Sequence, residues 1–167
     1  GSFSKAFSPA LRLGYAIVPP ALQGAWRSYR ELMDIHSCSF TQSAMATMLA
    51  SGAFERHVRR MRRLYAARRS ALLSGVESCL GPGVEVMGEA AGLHVALRFA
   101  LPRFRGLRFD EATVSRIALA GALVYPASRF AFAPFPGVER ILLLGYANLS
   151  EAEIDCGLAG LAAALGR

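Results

Sequence analysis

Lys5 sits in a small, hydroxyl-rich turn at the head of the chain, Gly1-Ser2-Phe3-Ser4-Lys5-Ala6-Phe7-Ser8-Pro9-Ala10-Leu11-Arg12-Leu13-Gly14-Tyr15, seven residues before an arginine. A lysine amine forms an imine with an aldehyde, and an aldehyde cofactor that also carries a phosphate needs hydroxyl donors and a cation beside that lysine. Ser2, Ser4 and Arg12 are residues of those types. Arginine suits the phosphate because it stays charged and offers a planar fork of donors, whereas lysine can lose its proton and act as a nucleophile. Lys5 is the only lysine in the chain, so no other lysine can form the imine. The competing reading is that a Ser-Lys turn is an ordinary loop, because short motifs match by chance.

The turn resembles the lysine segment of the fold-type-I pyridoxal 5'-phosphate (PLP) enzymes, the aminotransferase superfamily. More narrowly it is similar to the aminotransferase-like domain of MocR/GabR-type regulators, a branch of the GntR family. Further stretches carry the same resemblance: Thr41-Gln42, the helix between Arg56 and Arg69 with Tyr65, Gly92-Leu93-His94, Val124-Tyr125-Pro126-Ala127-Ser128, and Leu144-Gly145-Tyr146-Ala147-Asn148-Leu149. The likeness spans nearly the whole chain. It implies that Lys5 carries PLP as the internal aldimine, that Ser2, Ser4 and Arg12 hold the cofactor, and that no metal is involved. The implied fold is α/β, the C-terminal part of a PLP-dependent transferase (aminotransferase class I/II) fold. Residues 1–55 would be the end of the large PLP-binding domain, and 56–167 a small C-terminal α/β domain entered by a long bridging helix. In this superfamily the carboxylate for the pyridine nitrogen and the ring that stacks on the cofactor lie upstream of the lysine. The chain is therefore expected to be part of a longer protein, with a winged helix-turn-helix DNA-binding domain before it in the MocR/GabR group.

Composition sets broad bounds. At 167 residues and 53% hydrophobic content the chain can bury a core. No apolar run reaches the roughly 18–20 residues of a membrane span, since Arg98, Arg116 and Arg129 break the most apolar stretches. No basic-then-apolar leader opens the chain. Cys38, Cys79 and Cys156 are far apart and odd in number, which reads as reduced thiols of a cytoplasmic protein.

The elements that must position the lysine turn follow from periodicity and punctuation. Residues 11–18 are apolar, rich in strand formers and closed by Pro19-Pro20, which predicts a strand leaving the turn. Leu22, Ala25, Trp26, Tyr29 and Met33 recur at helical spacing over 21–33. Thr41 is a candidate cap for a helix over 42–51. Phe54, Val58, Met61, Tyr65, Leu72, Leu73 and Val76 mark the longest helix, from Ala53 to Cys79 and ended by Gly81-Pro82-Gly83. Strands are expected at 84–87 and 93–99 around a turn at 88–92, and in the second of them His94, Ala96 and Arg98 alternate with Leu93, Val95 and Leu97. Asp110 caps a helix to about 120, short strands follow at 123–125 and 140–146, and Ser150 with Glu153 forms a capping box for a helix to 165. The nearest thing to a linker is the Pro- and Phe-rich stretch 130–138.

Several other residues invite functional readings. Arg56, Arg59, Arg60, Arg62, Arg63, Arg68 and Arg69 with His57 supply most of the net charge of +7, and such a stripe suits nucleic acid. The same pattern also fits the solvated side of an amphipathic helix, or a docking surface for a linked DNA-binding domain. His36, His57 and His94 are scattered over loop, helix and strand, which does not suggest a metal site, and His94 reads as structural. Ser43 and Ser128 have no His/Asp constellation at recognisable spacing. Tyr125 and Ser128 fall where the family's small domain approaches the substrate, although a plain loop accounts for them as well.

Three functions fit these residues. One is a PLP-binding effector domain of a MocR/GabR-type regulator, in which an amine or amino acid exchanges with Lys5 and domain closure biases an attached DNA-binding domain. The alternative is a catalytic aminotransferase acting on an amino acid or amine, with Lys5 moving the proton. A third is a binding module without cofactor. Aminotransferases of this fold clamp the substrate carboxylate with an arginine in a strand of the type Arg-Leu-Gly-Tyr-Ala, because a bidentate fork fixes a carboxylate. Leu143 stands at that place here, and Arg140, three residues earlier, would face the other side of a strand. This departure favours the regulator, with PLP and a small amine or amino acid as ligands, DNA reached only through the upstream domain, no membrane partner and a homodimeric assembly.

Overall fold

The computed structural model describes residues 1–88, 92–100, 102–133 and 135–166. They form two compact units, Gly1–Arg62 and Arg63–Arg167.

The first unit opens with the lysine turn. Its flanks, 1–3 and 13–15, pair antiparallel: Phe3 N–H donates to the Leu13 carbonyl at 3.1 Å, and Tyr15 N–H to the Gly1 carbonyl at 2.8 Å. A short 3-10 turn, Pro9–Leu11, sits inside the loop so closed. The expected strand over 11–18 is not formed. Strand-forming residues need a partner ladder, and this segment finds one only at the Ser2–Gly14 bridge before running on as irregular backbone to Pro19. A 3-10 turn, Pro20–Leu22, then leads into helix α1, Gln23–Asp34. The next helix, α2, spans Ser39–Ala50, so Thr41 lies inside it and is not its cap. Cys38 occupies the cap position and makes no side-chain cap bond. Met45 is the one buried apolar side chain of this unit among the described residues, while Trp26, Tyr29, Leu32 and Met33 of α1 are exposed.

Helix α3, Ala53–Leu80, is the long helix that the apolar stripe predicts. Gly52 turns the chain between α2 and α3 at φ +67°, a conformation open to glycine. In the second unit β1, Val84–Met87, and β2, His94–Phe99, follow the expected positions to within a residue; 89–91 of the intervening turn lie outside the described residues. Helix α4, Glu111–Leu119, is capped by Asp110, whose side chain accepts the Thr113 N–H. The short strand expected at 123–125 falls instead at β3, Tyr125–Pro126, and Ala127–Phe130 curls into a 3-10 turn because a proline cannot extend the ladder. Strand β4 is Ile141–Gly145, preceded by the 3-10 turn Val138–Arg140. The last helix, α5, is Glu151–Ala164, with both arms of the Ser150/Glu153 capping box present.

The four strands form an antiparallel sheet in the order β1-β2-β4-β3. Alternation sends Val95, Leu97 and Phe99 of β2 and Leu142 and Leu144 of β4 into the core with Leu72, Val76 and Leu80 of α3, Ile117 of α4, and Ile154, Leu158 and Leu161 of α5. Phe99 meets Phe104 and Phe109 edge-on, with ring centroids 5.0 Å apart in each pair. The second unit is therefore a helical layer packed on one face of a sheet. Among the described residues no helix is long and apolar enough to cross a membrane.

Two glycines one turn apart on α5 differ in their surroundings. A Cβ on Gly160 would collide with the Ala120 carbonyl at the end of α4, a backbone atom that cannot move aside alone, whereas a Cβ on Gly157 meets nothing within 4 Å. Gly160→Ala should therefore destabilise the protein by about 1–3 kcal/mol through overpacking. Gly157→Ala should stabilise it by about 0.5–1 kcal/mol through helix propensity. Urea unfolding of the two variants against wild type measures both. Acid should also weaken the helix caps. The Thr113 backbone N–H and hydroxyl hold the Asp110 carboxyl below its usual range, and the Ser150 N–H and hydroxyl do the same for Glu153. Groups depressed in the folded state contribute stability above their unfolded range and lose it as pH falls through the folded values. The thermal midpoint should thus drop as pH falls below about 4, and Asp110→Asn should flatten that drop, since the amide oxygen keeps the cap without titrating.

Candidate functional site

The lysine turn is built as a closed loop. Its clasp requires glycine at position 14, where a Cβ would approach the Gly1 carbonyl oxygen to 2.8 Å. Inside the clasp the Ser4 N–H donates to the Ser2 hydroxyl oxygen at 3.1 Å, and the Phe7 N–H to the Phe3 carbonyl at 2.8 Å, which coils the segment carrying Lys5. Ser8 caps the Pro9–Leu11 turn, its hydroxyl accepting the Ala10 N–H at 3.3 Å. Arg12 ends that turn in the left-handed region, at φ 49° and ψ 36°. Left-handed backbone costs a residue with a Cβ roughly 1–2 kcal/mol, and such positions concentrate at functional sites.

Aromatic contacts seat this loop on the first turns of α3. The Phe3 ring lies 5.7 Å from Tyr15 and 5.6 Å from Phe54, and the Phe7 ring 5.0 Å from His57, centroid to centroid. Lys5 and Arg12 are exposed, and among the described residues neither side chain makes an ion pair or hydrogen bond. Ser2 uses its hydroxyl oxygen as an acceptor, which leaves its proton free to donate. One short loop thus carries an amine, two hydroxyl-bearing side chains and a guanidinium with donor capacity uncommitted among the described residues. That donor set suits a phosphate-bearing aldehyde. Sequence reasoning put these four residues forward from type and spacing; the aromatic seats, the Ser8 cap and the left-handed Arg12 come from pairings that residue types alone do not announce.

Of the other motif stretches, Thr41-Gln42 lies in α2 of the first unit, while those around Tyr65, Gly92-Leu93 and Tyr146-Ala147 meet within the second. The Tyr146 hydroxyl donates to the Gly92 carbonyl at 2.8 Å, and the Tyr146 N–H to the Leu93 carbonyl at 3.3 Å. The Arg68 guanidinium donates to the Ala147 carbonyl. Tyr65 packs against the core. These residues tie α3 and β2 to the end of β4 and are architectural. Register places His94, Ala96, Leu143, Gly145 and Tyr125 together on the sheet face opposite the core, with Leu143 paired to Ala96 and Tyr125. The His94 ring lies over Gly145, where a Cβ would come within 3.2–3.3 Å of it. Arg140 does not lie on the strand: it belongs to the preceding 3-10 turn, and its Nε pairs with Glu139 at 3.7 Å. The face that holds Leu143 therefore carries an aliphatic side chain in mid-strand, beside an imidazole and a phenol.

Comparison with known proteins gives this arrangement its class. The chain matches no family model. It is 35% identical over 158 residues to the HTH-type transcriptional regulator YhdI of Bacillus subtilis, with 95% of the chain and 32% of that protein covered. It is 29% identical over 164 residues to the probable rhizopine catabolism regulatory protein MocR of Rhizobium meliloti, with 98% and 32% covered. Among solved structures it resembles LysN, the alpha-aminoadipate aminotransferase of Thermus thermophilus complexed with N-(5'-phosphopyridoxyl)-L-leucine. The TM-score is 0.82 and the identity 28%, over 99% of this chain and 41% of that one. The fold is that of the C-terminal part of the PLP-dependent, fold-type-I aminotransferases.

The chain spans about one third of the length of the regulators it matches. Within that span it is an aminotransferase-like domain of the MocR type.

Proposed function

We propose that this chain is the PLP-holding part of the effector domain of a transcriptional regulator, in which Lys5 bonds the cofactor and Ser2, Ser4 and Arg12 hold its phosphate. The observation that carries the reading is the clasped loop, which keeps the amine of Lys5 and the guanidinium of a left-handed Arg12 on one short turn with both unpaired. The regulator names and the aminotransferase structure found by comparison support it from outside the chain. On this reading residues 1–55 complete a large domain and 56–167 form the small one. The protein works in the cytoplasm as a homodimer, with exposed apolar residues of α1 such as Trp26, Tyr29 and Leu32 available to be covered by the rest of the assembly. DNA is contacted by a further, winged helix-turn-helix domain.

PLP, when bound, supplies an aldehyde for the amine and a ring that draws electrons from it. The residues of this chain do the rest. Lys5 would supply the amine that bonds the aldehyde. Arg12 would grip phosphate oxygens with a fork whose origin is fixed by the backbone turn. Ser2 and Ser4 add hydroxyl donors. Leu143 itself offers no charge to a ligand carboxylate, and the guanidinium on the same sheet face, Arg98, is paired with Glu85 at 3.5 Å, so an amine or amino acid is held by its amine and its apolar body. This favours sensing over turnover.

Borohydride reduction of the full-length protein should leave a pyridoxyl adduct on the Lys5 peptide, and Lys5→Ala should abolish it; an adduct that survives the alanine substitution refutes the assignment. Arg12→Gly separates the two roles of that residue. Releasing the left-handed backbone should leave stability unchanged or raise it by up to about 1 kcal/mol. Loss of charge-assisted contacts of roughly 1.5–3 kcal/mol should weaken cofactor retention about tenfold to a hundredfold. Equilibrium dialysis alongside urea unfolding reads both. Turnover of common α-amino acids should be slow in wild type, and Leu143→Arg should raise it by about tenfold or more by restoring a carboxylate clamp. Half-reaction rates with alanine, glutamate and aspartate decide this: rates typical of aminotransferases in wild type would make the enzyme the better reading.

A further inference from the structure

Helix α3 begins with an arginine row that neither the core nor the lysine turn uses. Arg56, Arg59 and Arg60 fall within an arc of about 100° on a helix of 3.6 residues per turn. Phe54, Val58 and Met61, the half-buried residues of the same turns, lie diametrically opposite. All three arginines are exposed, and among the described residues none makes an ion pair. Glu55, four residues before Arg59, does not pair with it. Arg56 spends one nitrogen on the Ser51 carbonyl, at 3.1 Å, and keeps its other donors. Half-burial of one side of these turns of α3 therefore leaves a short, unneutralised cationic row on the opposite side of the helix.

We propose that this row contacts the phosphate backbone of duplex DNA. The proposal rests on the regulator reading, which brings DNA to the protein, and adds a contact that the DNA-binding domain does not make. Charge complementarity selects the partner. Arg56 and Arg60 are about 6 Å apart along the helix axis, and duplex DNA presents a backbone charge about every 3.4 Å of axis on each strand. Three arginines in a row thus meet neighbouring phosphates without distorting either surface. Guanidinium forks bind phosphate oxygens bidentately, and a straight side of an exposed helix can lie along the backbone without entering a groove. The contact carries no base sequence. It adds affinity and sets where flanking DNA lies against the effector domain.

The test uses the full-length protein and a long random-sequence duplex, with affinity measured over a range of salt concentrations. Replacing all three residues with glutamine (R56Q/R59Q/R60Q) should lower the slope of log affinity against log salt by up to about 2.7, and affinity at 0.1 M salt by up to roughly tenfold per arginine. The lysine triple R56K/R59K/R60K should restore the slope, since a phosphate contact needs only the charge. Unchanged slope and affinity in the glutamine triple would overturn the proposal. So would a fall in affinity at unchanged slope, which would mean that the row holds another protein segment instead. Wild type that does not bind the duplex would also overturn it. Trapping at Lys5 serves as an independent control: its failure with the slope change intact removes the cofactor reading and leaves this one, and the converse result does the reverse. Should the glutamine triple fail to fold, R59Q and R60Q made singly, each expected to lower the slope by up to about 0.9, decide the matter in the same way.

Discussion

Burial of one face of a small antiparallel sheet beneath three helices is the constraint on which the rest of the second unit depends. Leu97, Phe99 and Leu142 are fully shielded, and they are shielded only because the alternation of β2 and β4 is in phase across their shared ladder. A slip of one residue would send Leu97 to the open face and Arg98 into the core, which a buried, unpaired guanidinium forbids. Once the register is set, the other face is set as well. His94, Ala96, Leu143, Gly145 and Tyr125 are brought side by side without any contact among them having to be designed for stability. Side chains can vary on that face while the core holds its position.

The same separation holds in the first unit by a different device. With one buried apolar side chain among its described residues, this unit does not rely on a core of its own to order the lysine turn. A backbone clasp between 1–3 and 13–15 and three ring contacts do that work, and a left-handed arginine is tolerated because the clasp holds both ends of the loop. Conformational strain at Arg12 is thus maintained by contacts elsewhere in the unit.

What could be read from the sequence was what depends on short-range rules. The capping box at Ser150, the Asp110 cap, the span of α3 and the alternation of β2 all follow from local residue choice, and all are found. The strand expected over 11–18 failed because strand propensity is a statement about neighbours: Leu11, Leu13 and Ile17 suit a ladder, but pairing reaches only as far as 13–15. Thr41 failed as a cap because Ser and Thr compete equally well for several backbone positions, and α2 begins two residues earlier. The grouping of Lys5, Ser2, Ser4 and Arg12 on one loop was legible because they lie close together in sequence. The left-handed turn at Arg12 was not, since arginine carries no preference for it, and neither was the close approach of Gly160 to Ala120, which joins elements forty residues apart in sequence.

The arginines of α3 show how one pattern can serve two purposes without conflict. An amphipathic helix requires a polar side, and glutamate or lysine there would satisfy that requirement as well as arginine does. Packing therefore places no demand on the identity of residues 56, 59 and 60, and their identity is free to follow another demand. A solvated face built only for helix stability would gain from mixed signs, because oppositely charged residues four apart support the helix and like charges oppose it. Arg56 and Arg60 are such a like-charged pair, and Glu55 does not offset them by pairing with Arg59. The helix thus accepts a small local repulsion that an external row of negative charge would relieve, which is the energetic relation expected of a surface that meets a polyanion.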